Sequence, residues 1–165
     1  MSRSAWLVIG LACALSACGA SMLTATQQSA AESRVEEVID AWHAAAARSD
    51  IEMYFGLMTE DAVFLGTDAT ERWDRAAFRA YADPVFAESR GWSMTSRRRT
   101  VEVDPHGHLA WFEEDLDAEN LGPARGSGVL RNEPEGWRIV QYNLAITVPN
   151  DRFSEVRSLL SGPAD

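Results

Sequence analysis

Glu113, Arg99 and Arg125 form the sharpest chemical pattern in the sequence. Each of the three lies in a different strand-like run in the second half of the chain. Guanidinium groups on both sides of a carboxylate stabilise its ionised form, and Arg pairs with carboxylates in a planar, bidentate way. The pattern favours a structural ion-pair network over a polar clamp for an anionic or hydroxylated ligand. It favours both over a general base at Glu113, because a clamped carboxylate accepts protons poorly at neutral pH.

Asp68 and His43 are two weaker candidates for acid–base chemistry. Asp68 follows the first predicted strand, close to Arg72, where a salt bridge that orders the loop is the simpler interpretation. His43 lies at the edge of the apolar stripe of the first predicted helix, where it is either an acid or base or a boundary residue without a chemical role. We predict no metal site, because His106 and His108 are close in sequence but have no third ligand nearby.

The composition excludes several classes of function. The chain has 165 residues, which is enough for one ordinary domain. Its formal net charge of −10 argues against nucleic acid as a partner, because nucleic-acid binding needs a basic patch. All 15 basic residues are Arg. Without Lys there is no Schiff-base chemistry, no lysine-bound pyridoxal phosphate and no P-loop lysine, and we expect no cofactor.

The first residues are typical of an export signal. A short apolar run over 5–14 follows a single positive charge, as in a signal peptide. The next residues, Leu15-Ser16-Ala17-Cys18-Gly19, resemble the lipobox of bacterial lipoproteins. The resemblance implies a signal peptide over 1–17 and a lipid on Cys18. It also implies a location on the periplasmic face of the cell envelope, and the glycine after the cysteine indicates the outer membrane. Residues 18–31 are rich in Ala, Ser, Thr and Gln, which predicts a flexible tether.

The hydrophobic periodicity of the remaining chain changes near residue 91. Before that point, a period typical of helices predicts one helix over 32–48 and two shorter helices capped by Asp50 and Asp74. One short strand is predicted over 62–65. After it, a period of two and three turns predict strands over 92–104, 109–117, 124–131 and 137–148.

The order of these elements predicts the architecture. Residues 32–150 are expected to form an α+β domain, with three N-terminal helices packed on a curved antiparallel sheet of about four long strands plus one short strand. Residues 151–165 are expected to form a C-terminal helix and tail.

Strand pairing predicts a pocket. If the three hairpins are centred near residues 106, 119 and 134, the odd-numbered residues share one face, which changes from aliphatic to charged along the strands. A curved sheet with that face under the helices makes a cup that suits a small molecule. The predicted ligand-binding residues are Trp42, Tyr54, Trp73, Arg99, Trp111, Glu113, Arg125, Ser127, Gln141 and Asn143.

The even-numbered face is predicted to be the outer face of the sheet. It is too apolar to contact only water, because it carries Phe112, Leu130, Tyr142 and Leu144. A homodimer through this outer face is the simplest expectation. Both face assignments depend on the register, since a slip of one residue reverses them.

The pattern of elements resembles the nuclear-transport-factor-2-like (NTF2-like) fold in its SnoaL-like branch, over about residues 32–150. The resemblance implies a conical pocket and dimers packed through the sheet, and it implies no single function. It rests on Asp61-Ala62-Val63-Phe64-Leu65-Gly66-Thr67-Asp68, Glu71-Arg72-Trp73, Ala110-Trp111-Phe112-Glu113-Glu114, Arg125-Gly126-Ser127-Gly128-Val129-Leu130 and Gly136-Trp137-Arg138-Ile139-Val140-Gln141-Tyr142-Asn143-Leu144.

The ketosteroid isomerases of this fold give a test of mechanism. The position of their general base falls on Gly66, and the position of their helix tyrosine falls on Trp42, so both roles are missing here. We therefore expect an exported, lipid-anchored domain that binds a small, partly apolar molecule. The alternatives are an isomerase, dehydratase or hydrolase that uses Glu113, Asp68 or His43, and a dimeric assembly module with a vestigial pocket.

Overall fold

The computed structural model describes residues 21–161, so the predicted signal peptide and Cys18 lie outside the described residues. The elements are α1 (Ala25–Ala47), α2 (Ile51–Gly56), β1 (Met58–Leu65), β2 (Arg72–Asp74), α3 (Arg75–Ala87), β3 (Met94–Val103), β4 (Leu109–Ala118), β5 (Gly122–Glu133), β6 (Gly136–Ile146) and, after a 3-10 turn at Asn150–Arg152, α4 (Phe153–Leu160). The predicted α+β architecture is confirmed, with helices packed on one face of a curved sheet.

The sheet has six strands in the order β2-β1-β6-β5-β4-β3. Strands β3 to β6 form the predicted antiparallel meander. Two features differ from the prediction. Strand β1 runs parallel to β6, which makes the sheet mixed, and the three residues of β2 add a short strand beside β1. A strand of three residues is too short to show a period, and the partner of β1 is distant in sequence, so neither feature has a local signal.

Helix α1 begins earlier than predicted. Thr24 caps it: its side chain accepts from the backbone N–H of Gln27, and the Gln27 side chain accepts from the backbone N–H of Thr24. The backbone N–H of Leu23 donates to the carbonyl of Pro105 at 2.7 Å, which ties this end of the chain to the β3–β4 turn. Residues 25–31 are therefore helical rather than a flexible tether. Ala and Gln are frequent in linkers, but they are also good helix formers.

The face of the meander that lies under the helices is the even-numbered face of β4, not the odd-numbered one. Phe112 and Leu116 are 3% and 2% exposed, and Tyr142 of β6 is fully buried. Leu109 and Trp111 are 44% and 43% exposed on the opposite face. The predicted faces of β4 are thus reversed. The even-numbered aromatic residues belong to the core and do not form an outer face for a dimer.

The reversal has a definite cause in the register. Val103 pairs with Ala110, one residue from the Leu109 partner that the predicted turn centre gives. The odd residues of β3 therefore lie beside the even residues of β4. In addition, β6 has one extra residue between the partners of Leu130 and Val129. This bulge lets both Ile139 and Tyr142 point into the core.

Two glycines in β5 make room for large side chains on the inner face. A Cβ on Gly126 would lie 2.4 Å from the Tyr142 hydroxyl oxygen and 2.8 Å from a Glu114 oxygen. A Cβ on Gly128 would lie 2.8 Å from the Phe112 ring. Side chains from the neighbouring strands fill the space that β5 leaves open, so the glycines are needed for close packing.

Helix α4 lies within the range expected for a C-terminal helix, and no residue of α4 is buried. Its Phe153 and Leu159 are 61% and 82% exposed. Among residues 21–161, no helix combines the length and apolar character that crossing a membrane requires.

The inner glycines give a prediction about stability. Replacing Gly126 by Ala should destabilise the domain by about 1–3 kcal/mol, because the added methyl group overpacks against Tyr142 and Glu114. Urea unfolding followed by tryptophan fluorescence measures the change. Gly56→Ala is the matched control, since nothing lies within 4 Å of the added Cβ there. Equal unfolding midpoints for the two variants would contradict the packing argument.

Candidate functional site

A buried carboxylate, Glu114 of β4, lies at the centre of a polar cluster in the core. Its side chain has no exposure. His43 Nε2 lies 2.7 Å from Glu114 Oε1, and the Tyr142 hydroxyl lies 3.4 Å from the same oxygen. Arg99 Nε donates to Glu114 Oε2 at 3.0 Å. The carboxylate thus has partners from α1, β3 and β6.

The charge state of Glu114 follows from these partners. Burial alone would raise the pKa of the carboxyl, but the His43 hydrogen bond and the electrostatic attraction of its basic neighbours, with Arg99 among them, outweigh it and hold the pKa below its usual value. Burial, and after it the nearby Glu114 carboxylate, raise the pKa of the Tyr142 hydroxyl. Glu114 is therefore ionised at neutral pH, and Tyr142 stays a neutral donor. An ionised carboxylate with this many donors is a poor general base.

Arg99 connects this cluster to the surface of α1. Its Nη1 donates to Asp40 Oδ1 at 2.8 Å and lies 3.4 Å from the carbonyl oxygen of Glu36. The Arg99 side chain is only 9% exposed, whereas Asp40 is 70% exposed. The guanidinium therefore joins a buried carboxylate to an exposed one and fixes α1 against β3.

The predicted clamp of Glu113 between Arg99 and Arg125 does not form. Glu113 is exposed on the outer face, whereas Arg99 points inward and pairs with Glu114. Arg125 lies 3.6 Å from Asp115 on the outer face. Arg99 misses Glu113 because β3 and β4 pair one residue away from the predicted register. Arg125 misses it because β4 and β5 pair two residues away, which puts Arg125 opposite Asp115.

Glu114 and its contact with Tyr142 are the part of the cluster that sequence reasoning missed. A signal was present in β4, where Glu114 is the one charged residue in an alternating set of otherwise apolar side chains: Ala110, Phe112, Glu114, Leu116 and Ala118. A lone charge on a core face indicates a buried, partnered group. His43 was a weak candidate in the sequence. The structure shows that it is 8% exposed and contacts this carboxylate.

A separate cavity of about 330 Å³ lies where α3 meets β1, β2 and the start of β3. Its apolar lining includes Phe64, Trp73, Phe78, Tyr81, Trp92, Leu121 and Leu144. We call it the aromatic cavity. Ring centroids are 4.0 Å apart for Phe64 and Phe78, and 4.8 Å apart for Trp73 and Tyr81, both pairs being stacked. The rings thus form a continuous apolar wall.

Local structure positions this wall. Asp74 caps α3 by accepting a hydrogen bond from the backbone N–H of Ala77 at 2.8 Å. The cap starts the helix immediately after β2, which brings Trp73 beside Phe78 and Tyr81 of the first two turns of α3. One side of the cavity is therefore built from a short stretch of chain, in which β2, the Asp74 cap and α3 follow one another directly.

Polar groups line the same cavity. Glu71, Arg90 and Asn120 contribute to its lining. Glu71 accepts a hydrogen bond from the backbone N–H of Asp68 at 3.2 Å, and Arg90 pairs with Glu88 at 2.8 Å. The salt bridge predicted between Arg72 and its loop does not form among the described residues.

The structure separates the predicted pocket residues into three groups. Trp73 lines the aromatic cavity. Trp42 and Tyr54 are buried in the core, where their rings stack at 4.6 Å. The remaining members apart from Arg99 lie on the outer face of the sheet, which follows from the reversed faces: Trp111, Glu113, Arg125, Ser127, Gln141 and Asn143.

Asp68, the other weak candidate, is exposed in the loop after β1. It accepts hydrogen bonds from the Thr70 hydroxyl at 2.5 Å and the Thr70 backbone N–H at 2.7 Å, and these lower the pKa of its carboxyl. This arrangement stabilises a turn. Within residues 21–161, no three His, Cys, Asp or Glu side chains are grouped so that they could hold a metal ion.

Comparison with known proteins places this geometry in a family. The family model of the SnoaL-like domain matches residues 35–149. No curated protein matches the chain significantly.

Solved structures share the fold. An NTF2-like protein of unknown function from Pseudomonas putida KT2440 is 19% identical, with 74% of this chain and 91% of that chain covered and a TM-score of 0.62. A candidate dehydratase of the NTF2-like family from Streptomyces avermitilis is 15% identical, with 73% and 99% covered and a TM-score of 0.63. A protein of unknown function with a cystatin-like fold from Nostoc punctiforme PCC 73102 is 14% identical, with 76% and 95% covered and a TM-score of 0.59.

At these sequence identities, the solved structures support the fold alone. The family model covers most of the described domain. The chain therefore belongs to the SnoaL-like family, and its domain has the NTF2-like, cystatin-like α+β fold.

Proposed function

We propose that this SnoaL-like domain binds a small, largely apolar molecule in the aromatic cavity. The observation that carries the proposal is the set of stacked rings around a space of about 330 Å³. This volume is at the lower end of the range for ligand pockets, and a mostly apolar lining with a few polar groups is typical of them. The volume of the cavity suits a ligand about the size of one aromatic ring.

The positions of the acidic groups support binding over the predicted enzyme mechanisms. Glu113 is on the outer face, Glu114 is fully partnered, and Asp68 stabilises a turn. None of the three offers an unpaired carboxylate to a molecule in the aromatic cavity. A reaction that depends on one of them is therefore the weaker proposal.

Binding in the aromatic cavity can be measured with 4-nitrotoluene, a neutral one-ring compound that quenches tryptophan fluorescence. Trp73 and Trp92 line the cavity and act as reporters. Tyr81→Ala should weaken binding about fivefold, because it removes a ring stacked on Trp73 from a half-exposed helix position.

Phe153→Ala is the matched control, since it removes an exposed ring from α4. It should leave the affinity unchanged. Equal affinities of the wild type and Tyr81→Ala would show that the probe binds elsewhere and would refute the assignment of the cavity.

We also propose that two copies of the domain associate through the outer face of the sheet. In support of this, Leu109 and Trp111 lie two residues apart on this face and are 44% and 43% exposed, so they form one apolar patch, which is the kind of surface that marks an interaction site. Charges of both signs lie further along the same face, including Arg125 and Asp115. A surface with both signs can pair with its own copy across a twofold axis.

The dimer proposal predicts that Trp111→Glu gives monomers in analytical ultracentrifugation at concentrations where the wild type is dimeric. A charge placed in the centre of an apolar contact has no partner and must be desolvated. The control is Phe153→Ser on α4, which should remain dimeric. Dimers of unchanged stability in Trp111→Glu would rule out this face as the interface.

We further propose that the protein is exported and anchored to a membrane by a lipid on Cys18. The lipobox-like run from Leu15 to Gly19 supports this. Only residues 19–24 separate Cys18 from the first residue of α1. Six residues reach about 20 Å when extended, so the anchor would hold the domain close to the lipid headgroups.

The anchor is tested by Cys18→Ser in a double-membraned bacterial host. The variant should move from the membrane fraction to the soluble or unprocessed fraction, because it lacks the thiol that carries the lipid. Cys13→Ser is the control, since Cys13 lies within the predicted signal peptide and should not affect anchoring. A membrane-bound Cys18→Ser protein with a processed N-terminus would contradict lipidation at this residue.

A further inference from the structure

Glu71 is an acidic side chain in the aromatic cavity whose charge has no partner among the described residues. It lines the cavity together with Phe64 and Trp73. Its only hydrogen bond among residues 21–161 is the one that it accepts from the backbone N–H of Asp68 at 3.2 Å. A carboxylate has about four acceptor positions, so most of its capacity is free.

The backbone holds the Glu71 carboxylate close to the cavity. The backbone N–H of Gly66 donates to the carbonyl of Glu71 at 2.9 Å. A Cβ on Gly66 would lie 2.1 Å from Glu71 Oε2, so the carboxylate fills the space that a side chain at position 66 would need. Glu71 therefore supplies a carboxylate next to residue 66, where the sequence itself has a glycine.

We propose that the aromatic cavity recognises a small organic cation, with the Glu71 carboxylate as the counter-charge and the rings as the surrounding wall. The inference rests on the proposed ligand-binding function and adds the chemical class of the ligand. Aromatic faces carry negative potential and attract cations. A carboxylate beside several rings combines two features that favour positive charge in one place.

The charges around the cavity agree with this class of ligand. Arg90 is the cation in the lining, and Glu88 pairs with it at 2.8 Å. Asp68 lies beside Glu71 in the same loop and adds negative charge. The formal net charge of the chain is −10, which attracts cations at long range. A carboxylate ligand would meet Glu71, and the guanidinium in the lining, Arg90, already shares its charge with Glu88.

Three one-ring probes of the same shape test the inference through tryptophan quenching. They are 4-nitrobenzylamine, which is cationic at neutral pH, neutral 4-nitrotoluene and anionic 4-nitrobenzoate. The amine should bind about tenfold more tightly than 4-nitrotoluene, and 4-nitrobenzoate should bind most weakly. Raising the ionic strength should reduce the advantage of the amine, because the carboxylate is partly exposed.

Glu71→Gln is the decisive variant, because the amide keeps the shape and removes the charge. It should abolish the advantage of the amine over 4-nitrotoluene, because the counter-charge is gone. Asp68→Asn is the matched control: it removes the same charge from the same loop at a carboxylate that accepts bonds from Thr70. It should keep most of the preference for the amine.

The outcomes separate the two proposals. An amine that binds no better than 4-nitrotoluene, or a preference that survives Glu71→Gln, would overturn the cation site while leaving the aromatic cavity as a ligand site. If 4-nitrotoluene fails to bind but the amine binds in a Glu71-dependent way, the cation site stands and the apolar ligand class is wrong. If none of the three probes binds, both proposals fail.

Discussion

The buried charge of Glu114 is the constraint on which the rest of the domain depends. Moving a carboxylate out of water costs several kcal/mol unless charged and hydrogen-bonding groups surround it. Here the partners are His43 from α1, Arg99 from β3 and Tyr142 from β6. Each partner comes from a different element. The contacts that compensate the charge of Glu114 therefore also hold α1 against the sheet. The absence of a side chain at Gly126 leaves the space in which this happens.

The interior has two regions that differ in how their charged groups are paired. Around Glu114 every charge is compensated, so that region is structural. The aromatic cavity is lined by stacked rings, and its carboxylate, Glu71, makes a single hydrogen bond among the described residues. The contrast explains why the proposed function rests on the cavity. A functional group must keep interaction capacity for its ligand, whereas a buried structural charge must use its capacity within the protein.

Much of the fold could be predicted from periodicity and turn residues, and the resemblance to the SnoaL-like family rested on the same stretches. The four long strands and the C-terminal helix occur where the sequence predicts them. Strand β2 was not predictable because three residues are too few to show a period. The parallel pairing of β1 with β6 was not predictable because it joins distant parts of the chain. The start of α1 was missed because a helix rich in Ala and Gln has the composition of a linker.

The sequence by itself determined where the long strands and the bodies of the helices lie, that no lysine chemistry is available, and that Glu114 is a lone charge in an apolar alternation. Only the tertiary structure decided which face of each strand is covered. Residues alternate between faces with a period of two, so pairing Val103 with Ala110 instead of Leu109 exchanges the neighbours of Arg99. Both pairings satisfy backbone hydrogen bonds locally. The observed pairing puts the inward-pointing Arg99 beside the face of β4 that buries Phe112 and Leu116, and so gives the Glu114 carboxylate its guanidinium partner.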